Sequence, residues 1–162
     1  MVLGIGNPLI ADDRVGLKVI DEIEKCQDCK SDVVFKKAYT CSPDLLYEVE
    51  TFKSLIVIDS LCTGLYSPGT IVESEIDIHS ETEWIPTING HVFPFQQLLQ
   101  LGIKCGYQMP SRIKVIGIEG QEFNQFTETL TYAVEQSISK VVDRAKQCIE
   151  MFREEQACPP KK

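Results

Sequence analysis

The residues best placed for chemistry fall in three groups. Asn7, Asp12 and Asp13 follow a short apolar run, Asp59 and Ser60 follow a longer one, and Asn89 and His91 precede a helical pattern. Two carboxylates and one imidazole would form an oxygen, oxygen, nitrogen set of the kind that suits a borderline divalent metal with open positions. Each residue also has a plainer reading. Asp12 and Asp13 lie where a helix N-terminus favours negative charge by about 0.3–1 kcal/mol, so either is equally a cap or a dipole partner. Asp59 also fits a turn residue with a local backbone bond, and His91 a surface or capping histidine. His79, the other histidine, lies in a polar stretch and receives no role.

The elements that would carry these groups follow from apolar periodicity. Val2 to Ile5 reads as a strand ending in Gly-x-Gly-Asn-Pro, and Val15, Val19, Ile20 and Ile23 recur at helical spacing behind it. Val33 to Phe35 is a second strand candidate. It is followed by a short helix through Leu45, Leu46 and Val49, with Ser42 as its expected cap and Pro43 in its first position. Leu55 to Ile58 is a continuous apolar run closed by Asp59 and Ser60, as expected of the central strand of a parallel sheet buried on both faces. Thr70 to Ile76 alternates like an edge strand with one wet face. Pro94, Phe95, Leu98 and Leu99 mark a helix running to about Gly102, and Ile113 to Ile118 is another strand, ended by Glu119. Apolar residues from Leu130 to Phe152 at steps of three or four give a long final helix.

The alternation of strand and helix predicts a three-layer α/β sandwich: a mostly parallel twisted sheet of about five strands flanked by helices. The expected organisation is one domain over residues 1–153 with a frayed tail at 154–162. In such sheets the loops at the carboxyl ends of the strands line the ligand crevice, which is where the candidate residues fall.

Composition narrows the function classes. The chain has 162 residues, 43% hydrophobic and 25% charged, close to the globular average. Its formal charge of -8 repels phosphate backbones and anionic lipid, so no nucleic-acid or membrane partner is expected. No apolar stretch reaches the roughly 18 residues of a membrane span. Seven scattered cysteines and no visible export signal predict reduced thiols and a cytoplasmic location.

Three competing motifs are weak. Gly4-Ile5-Gly6-Asn7 lacks the third glycine of a dinucleotide fingerprint, since position 9 is Leu9, and Asp12 and Asp13 put negative charge where a pyrophosphate would lie. Cys26 and Cys29 have metal or redox spacing but no second pair. Ser60, His91 and an aspartate make a triad on paper only, because no serine has the surrounding Gly-x-Ser-x-Gly elbow.

Taken together, Gly4-Ile5-Gly6-Asn7-Pro8-Leu9-Ile10-Ala11-Asp12-Asp13-Arg14-Val15-Gly16 resembles the opening motif of the hydrogenase maturation proteases, Gly-x-Gly-Asn-x-x-x-x-Asp-[Asp/Glu]-x-x-Gly. Later landmarks follow in order: Leu55 to Ser60, the turn at Pro68-Gly69-Thr70, and His91 ahead of Leu98-Leu99. The resemblance covers roughly residues 1–150. It implies an aspartic-type endopeptidase with metal ligation at Asp13, Asp59 and His91, the residues also expected to be catalytic. The implied partner is the large-subunit precursor of a nickel-containing hydrogenase, whose C-terminal extension is removed after nickel insertion. The nickel itself is expected to come with the precursor. Three departures bear on substrate choice: Arg14 replaces a small residue, the first strand begins almost at Met1, and Ala38-Tyr39-Thr40 replaces a common Asp-Gly-Gly.

Two rivals differ in class. Peptidyl-tRNA hydrolases share a Gly-x-Gly-Asn-Pro turn after the first strand, but they need a histidine within about a dozen residues, and residues 8–30 hold none. A non-proteolytic, metal-sensing adaptor of hydrogenase assembly would use the same three ligands without cutting.

Overall fold

The computed structural model describes residues 1–26, 32–79 and 92–157. Five strands, β1 (Val2–Ile5), β2 (Phe35–Ala38), β3 (Ser54–Leu61), β4 (Ile71–Ile76) and β5 (Arg112–Glu119), form one sheet in the order β2-β1-β3-β5-β4. The first four in that order run parallel, and β4 pairs antiparallel with β5 at the edge. The helices are α1 (Val15–Glu24), α2 (Asp44–Val49), α3 (Val92–Lys104) and α4 (Tyr132–Ala157), with a short 3-10 turn at Asp12–Arg14.

The period-two alternation of the strands divides the core. Val2, Ile56, Ile58, Ile116 and Ile118 pack with residues of α1 and α4. Leu3, Ile5, Leu55, Val57, Ile113 and Val115 pack with residues of α2 and α3 on the opposite face. Each such side chain contributes about 1.5–3 kcal/mol on burial, so the apolar run of β3, buried on both faces, is the mechanical centre of the domain. The expected three-layer α/β architecture is what forms.

Several local expectations shift. β2 begins at Phe35 rather than Val33, because four-residue β1 pairs Val2 with Phe35 and has no residue left to pair with the two valines. The N–H of Val2 still bonds the Val34 carbonyl at 2.8 Å. Ser42 makes no side-chain cap: Pro43 occupies the N-cap position, and it is the Ser42 carbonyl that accepts the Leu45 N–H. β3 does not close at Asp59. It runs on to Leu61, because Gly117, Ile118 and Glu119 of β5 extend the ladder beneath Asp59, Ser60 and Leu61. α4 continues as helix to Ala157, into the segment expected to fray.

The chain leaves β1 to form β2 on one side and then returns to place β3 on the other. The carboxyl ends of β1 and β3 therefore flank a topological switch point, the usual location of a ligand crevice in open α/β sheets.

Candidate active site

The opening motif owes its glycines to packing. Gly6 has φ +153°, and a Cβ there would lie 2.0 Å from the carbonyl oxygen of Asp13. A Cβ on Gly16 would lie 2.4 Å from the carbonyl oxygens of both Ile5 and Ile58. No side chain fits at either point. The first turn of α1 thus presses against the ends of β1 and β3, which brings Asp13 down to the sheet rim. Backbone, and not a phosphate, fills the space these glycines leave.

Asp13 is buried, and one of its carboxylate oxygens, Oδ2, accepts the backbone N–H of Asn7 at 3.0 Å. Its other oxygen, Oδ1, accepts the hydroxyl of Ser60 at 2.9 Å. Ser60 also donates its backbone N–H to Oδ1 of Asp59 at 2.8 Å, and Asp59 is 0% exposed. One serine therefore holds both carboxylates at the carboxyl end of the central strand. Alternation along β3 puts Asp59 on the face shared with Leu55 and Val57, which is the face covered by α2 and α3. Asn7 fixes its own turn by accepting the Leu9 N–H on Oδ1 at 3.0 Å.

Asp12, the other acid of the motif, does something different. Its Oδ2 accepts the N–H of Gln121 at 2.8 Å, the N–H of Glu122 at 3.0 Å and the hydroxyl of Thr131 at 2.8 Å. Its Oδ1 accepts the Thr131 N–H at 2.7 Å. Asp12 is thus a clasp for the loop between β5 and α4. Nothing in the spacing of the sequence could reveal this, because its partners lie more than one hundred residues away.

Two further groups emerge only in three dimensions. Glu119, read from sequence merely as a strand end, is buried and accepts the N–H of Thr63 at 2.9 Å, the Thr63 hydroxyl at 2.8 Å and the Gly64 N–H at 2.7 Å. It clasps the loop after β3. Cys41 lies close enough to Asp59 to feel its charge: burial, and then that negative charge, push the thiol up to about 12.

Of the three residues expected to bind metal, the structure joins Asp13 and Asp59 through Ser60. His91 lies outside the described residues, as do Asn89 and Cys29. Among the described residues, no group of three His, Cys, Asp or Glu side chains could hold a metal ion. The donor chemistry of two carboxylates fits a borderline divalent ion only when completed by nitrogen or sulfur ligands from elsewhere. Cys26 is a free thiol whose Sγ lies 3.5 Å from the Glu22 carbonyl oxygen. Among the described residues, no helix is long and apolar enough to cross a membrane.

Comparison with known proteins agrees with this architecture. A family model described as "Hydrogenase maturation protease" matches residues 17–148. The chain is 26% identical over 152 residues to the hydrogenase expression/formation protein HupD of Thiocapsa roseopersicina, covering 94% of this chain and 68% of that protein. It is likewise 26% identical over 151 residues to the putative hydrogenase maturation protease MJ0253 of Methanocaldococcus jannaschii, covering 92% of each. Among solved structures it superposes on the hydrogenase maturating endopeptidase HybD from E. coli with a TM-score of 0.80 at 19% identity, over 93% of this chain and 91% of that one. The family match covers most of the chain, so this protein belongs to the hydrogenase maturation protease family, a family of peptidases.

Proposed function

We propose that this protein is the cytoplasmic endopeptidase that removes the C-terminal extension from the large-subunit precursor of a nickel-containing hydrogenase, and that Asp13, Asp59 and His91 read the nickel the precursor carries. The observation that carries the reading is the shared clamp on Ser60, whose backbone N–H bonds Asp59 and whose hydroxyl bonds Asp13, so that both buried carboxylates are tied to the carboxyl end of the central strand. Two carboxylates and an imidazole leave coordination positions free for a borderline divalent ion still bound by the precursor's own cysteines. Binding an ion fixed in the substrate aligns the scissile peptide, and alignment is itself a large part of the rate.

In the cleavage step a water oxygen bonds to the scissile carbonyl carbon, the C–N bond breaks, and the amine leaves with a proton. A carboxylate of the Asp13–Asp59 pair accepts the proton of that water, as in aspartic-type hydrolysis. A nickel ion held there by the precursor would supply Lewis acidity toward the scissile carbonyl. Ser60 and the Asn7 N–H keep the two carboxylates oriented, and their burial limits water around them.

The test is to incubate the protein with large-subunit precursor before and after nickel loading and to weigh the precursor by intact mass spectrometry. Loss of the extension from the nickel-loaded form alone is the expected result. An unchanged mass in both forms would make the protein an adaptor, and equal trimming of both would remove nickel from the recognition step.

A further inference from the structure

The loops around the site share a property that the catalytic reading does not use. Residues 4–11, 38–43, 60–72 and 123–127 contain no Asp, Glu, Lys or Arg, although a quarter of the chain is charged. These segments include or follow the carboxyl ends of β1, β2, β3 and β5, four adjacent strands whose axes span about 14 Å. They expose large apolar side chains instead: Leu9, Tyr39, Leu65, Tyr66 and Phe126, with Phe126 83%, Leu65 72% and Leu9 56% exposed.

The display is held rigidly. Ile10 and Phe126 form an isolated antiparallel bridge, the Ala11 N–H bonds the Gln125 carbonyl at 3.2 Å, and the Thr127 N–H bonds the Leu9 carbonyl at 3.1 Å. Asp12 anchors both ends of the segment that carries Phe126, and Glu119 anchors the start of the segment that carries Leu65. Burying a carboxylate is costly unless its hydrogen bonds are satisfied. Here two buried carboxylates fix loops whose tips contribute little to the core. Such ordering matters only if the tips meet something.

Resting on the function proposed above, we propose that Leu9, Tyr39, Leu65, Tyr66 and Phe126 form the docking surface for the folded body of the nickel-bearing precursor, at the rim of the sheet that carries Asp13 and Asp59. Continuity with the site argues for that occupant, because the segments that expose these residues also hold Asn7, Cys41 and Ser60, and directly adjoin Asp12–Asp13 and Asp59. Their spread across four adjacent strand ends argues for a folded apolar face rather than a single extended peptide. The lack of charged residues within these segments, with Glu122 and Glu128 only at the flanks of the last, argues for capture that leans little on electrostatic steering.

The test uses the full protein and the nickel-loaded hydrogenase large-subunit precursor of the same genome. Binding is measured by interferometry and cleavage by intact mass, for the parent, Phe126→Asp, Leu65→Asp and, as a control, Leu101→Asp on α3 away from the rim. Phe126→Asp and Leu65→Asp should each raise Kd and KM about tenfold and leave kcat within about twofold, as expected of exposed aromatic or apolar anchors. Leu101→Asp should change neither, and parent Kd should vary less than about threefold between low and high salt. Circular dichroism confirms that the variants fold. Unchanged Kd and KM in both rim variants would overturn the docking surface while leaving the peptidase reading intact. Binding without cleavage by the parent would overturn the peptidase reading and leave the surface standing. A parent that does not bind the precursor, or that self-associates through the rim so that Phe126→Asp turns a dimer into a monomer without affecting precursor binding, would overturn the surface.

Discussion

Asp12 and Asp13 are neighbours in sequence and both are buried, yet their surroundings divide them. Asp12, like Glu119, is surrounded by N–H and O–H donors from one loop, and its charge holds that loop. Asp13, like Asp59, bonds to a serine that also bonds another carboxylate. Loop donors around a single carboxylate make a fastening. Two buried carboxylates tied to one serine make a shared unit, and a nearby cation would favour the charged form of both. The difference between an acid that shapes the rim and an acid that works at it lies in the partner, not in burial or position in the motif.

Removing each kind of acid should therefore fail differently. Asp12→Ala strands four donors and should cost about 3 kcal/mol or more, read as a lower urea midpoint with unchanged slope. Asp13→Asn and Asp59→Asn should keep the parent melting temperature within a few degrees but slow cleavage of nickel-loaded precursor about 100-fold, a loss of about 2.7 kcal/mol in transition-state stabilisation. A large stability loss in either asparagine variant, or full activity, would erase the contrast. Glu119→Gln replaces an acceptor with an amide that can still accept, and should cost only about 1–2 kcal/mol in the same urea experiment.

The smallest effect sharpens the picture of the site. Because burial and the charge of Asp59 raise the Cys41 thiol to about 12 from an ordinary 9.0, it stays protonated at pH 9 and should react with iodoacetamide more slowly than exposed Cys105. Asp59→Asn removes the negative charge, lowers the Cys41 pKa and should quicken its alkylation. The sign for stability follows: a thiol held higher in the folded chain than in the unfolded one favours folding below pH 9 and loses that contribution as pH climbs toward 12.

Much of this was legible in the sequence because the signals are local. The apolar run of β3 and the helical spacing of Val15, Val19, Ile20 and Ile23 each report burial within one element, whereas β4, expected to alternate, has only partly buried Ile71 and Ile76, packed on opposite faces. Asp12, Asp13 and Asp59 could be placed at the sheet rim because the carboxyl ends of parallel strands converge, whereas the choice of Asp13 and Asp59 among them rested on the resemblance of the opening motif. What stayed hidden depends on partners distant in sequence. β3 passes its two polar residues because β5 pairs with them, Asp12 finds donors across the sheet, and Glu119 turns from strand end to clasp through Thr63 and Gly64. Ser42 failed as a cap for a local reason instead, since Pro43 took the N-cap position itself.

A double-mutant cycle on the cleavage rate of nickel-loaded precursor probes the central claim most directly. If Asp13 and Asp59 act as one unit held by Ser60, Asp13→Asn, Asp59→Asn and the double variant should all fall by about the same 100-fold, because breaking either half already disables the pair. Independent losses multiplying to about 10,000-fold in the double variant, or either single variant cleaving at the parent rate, would contradict it.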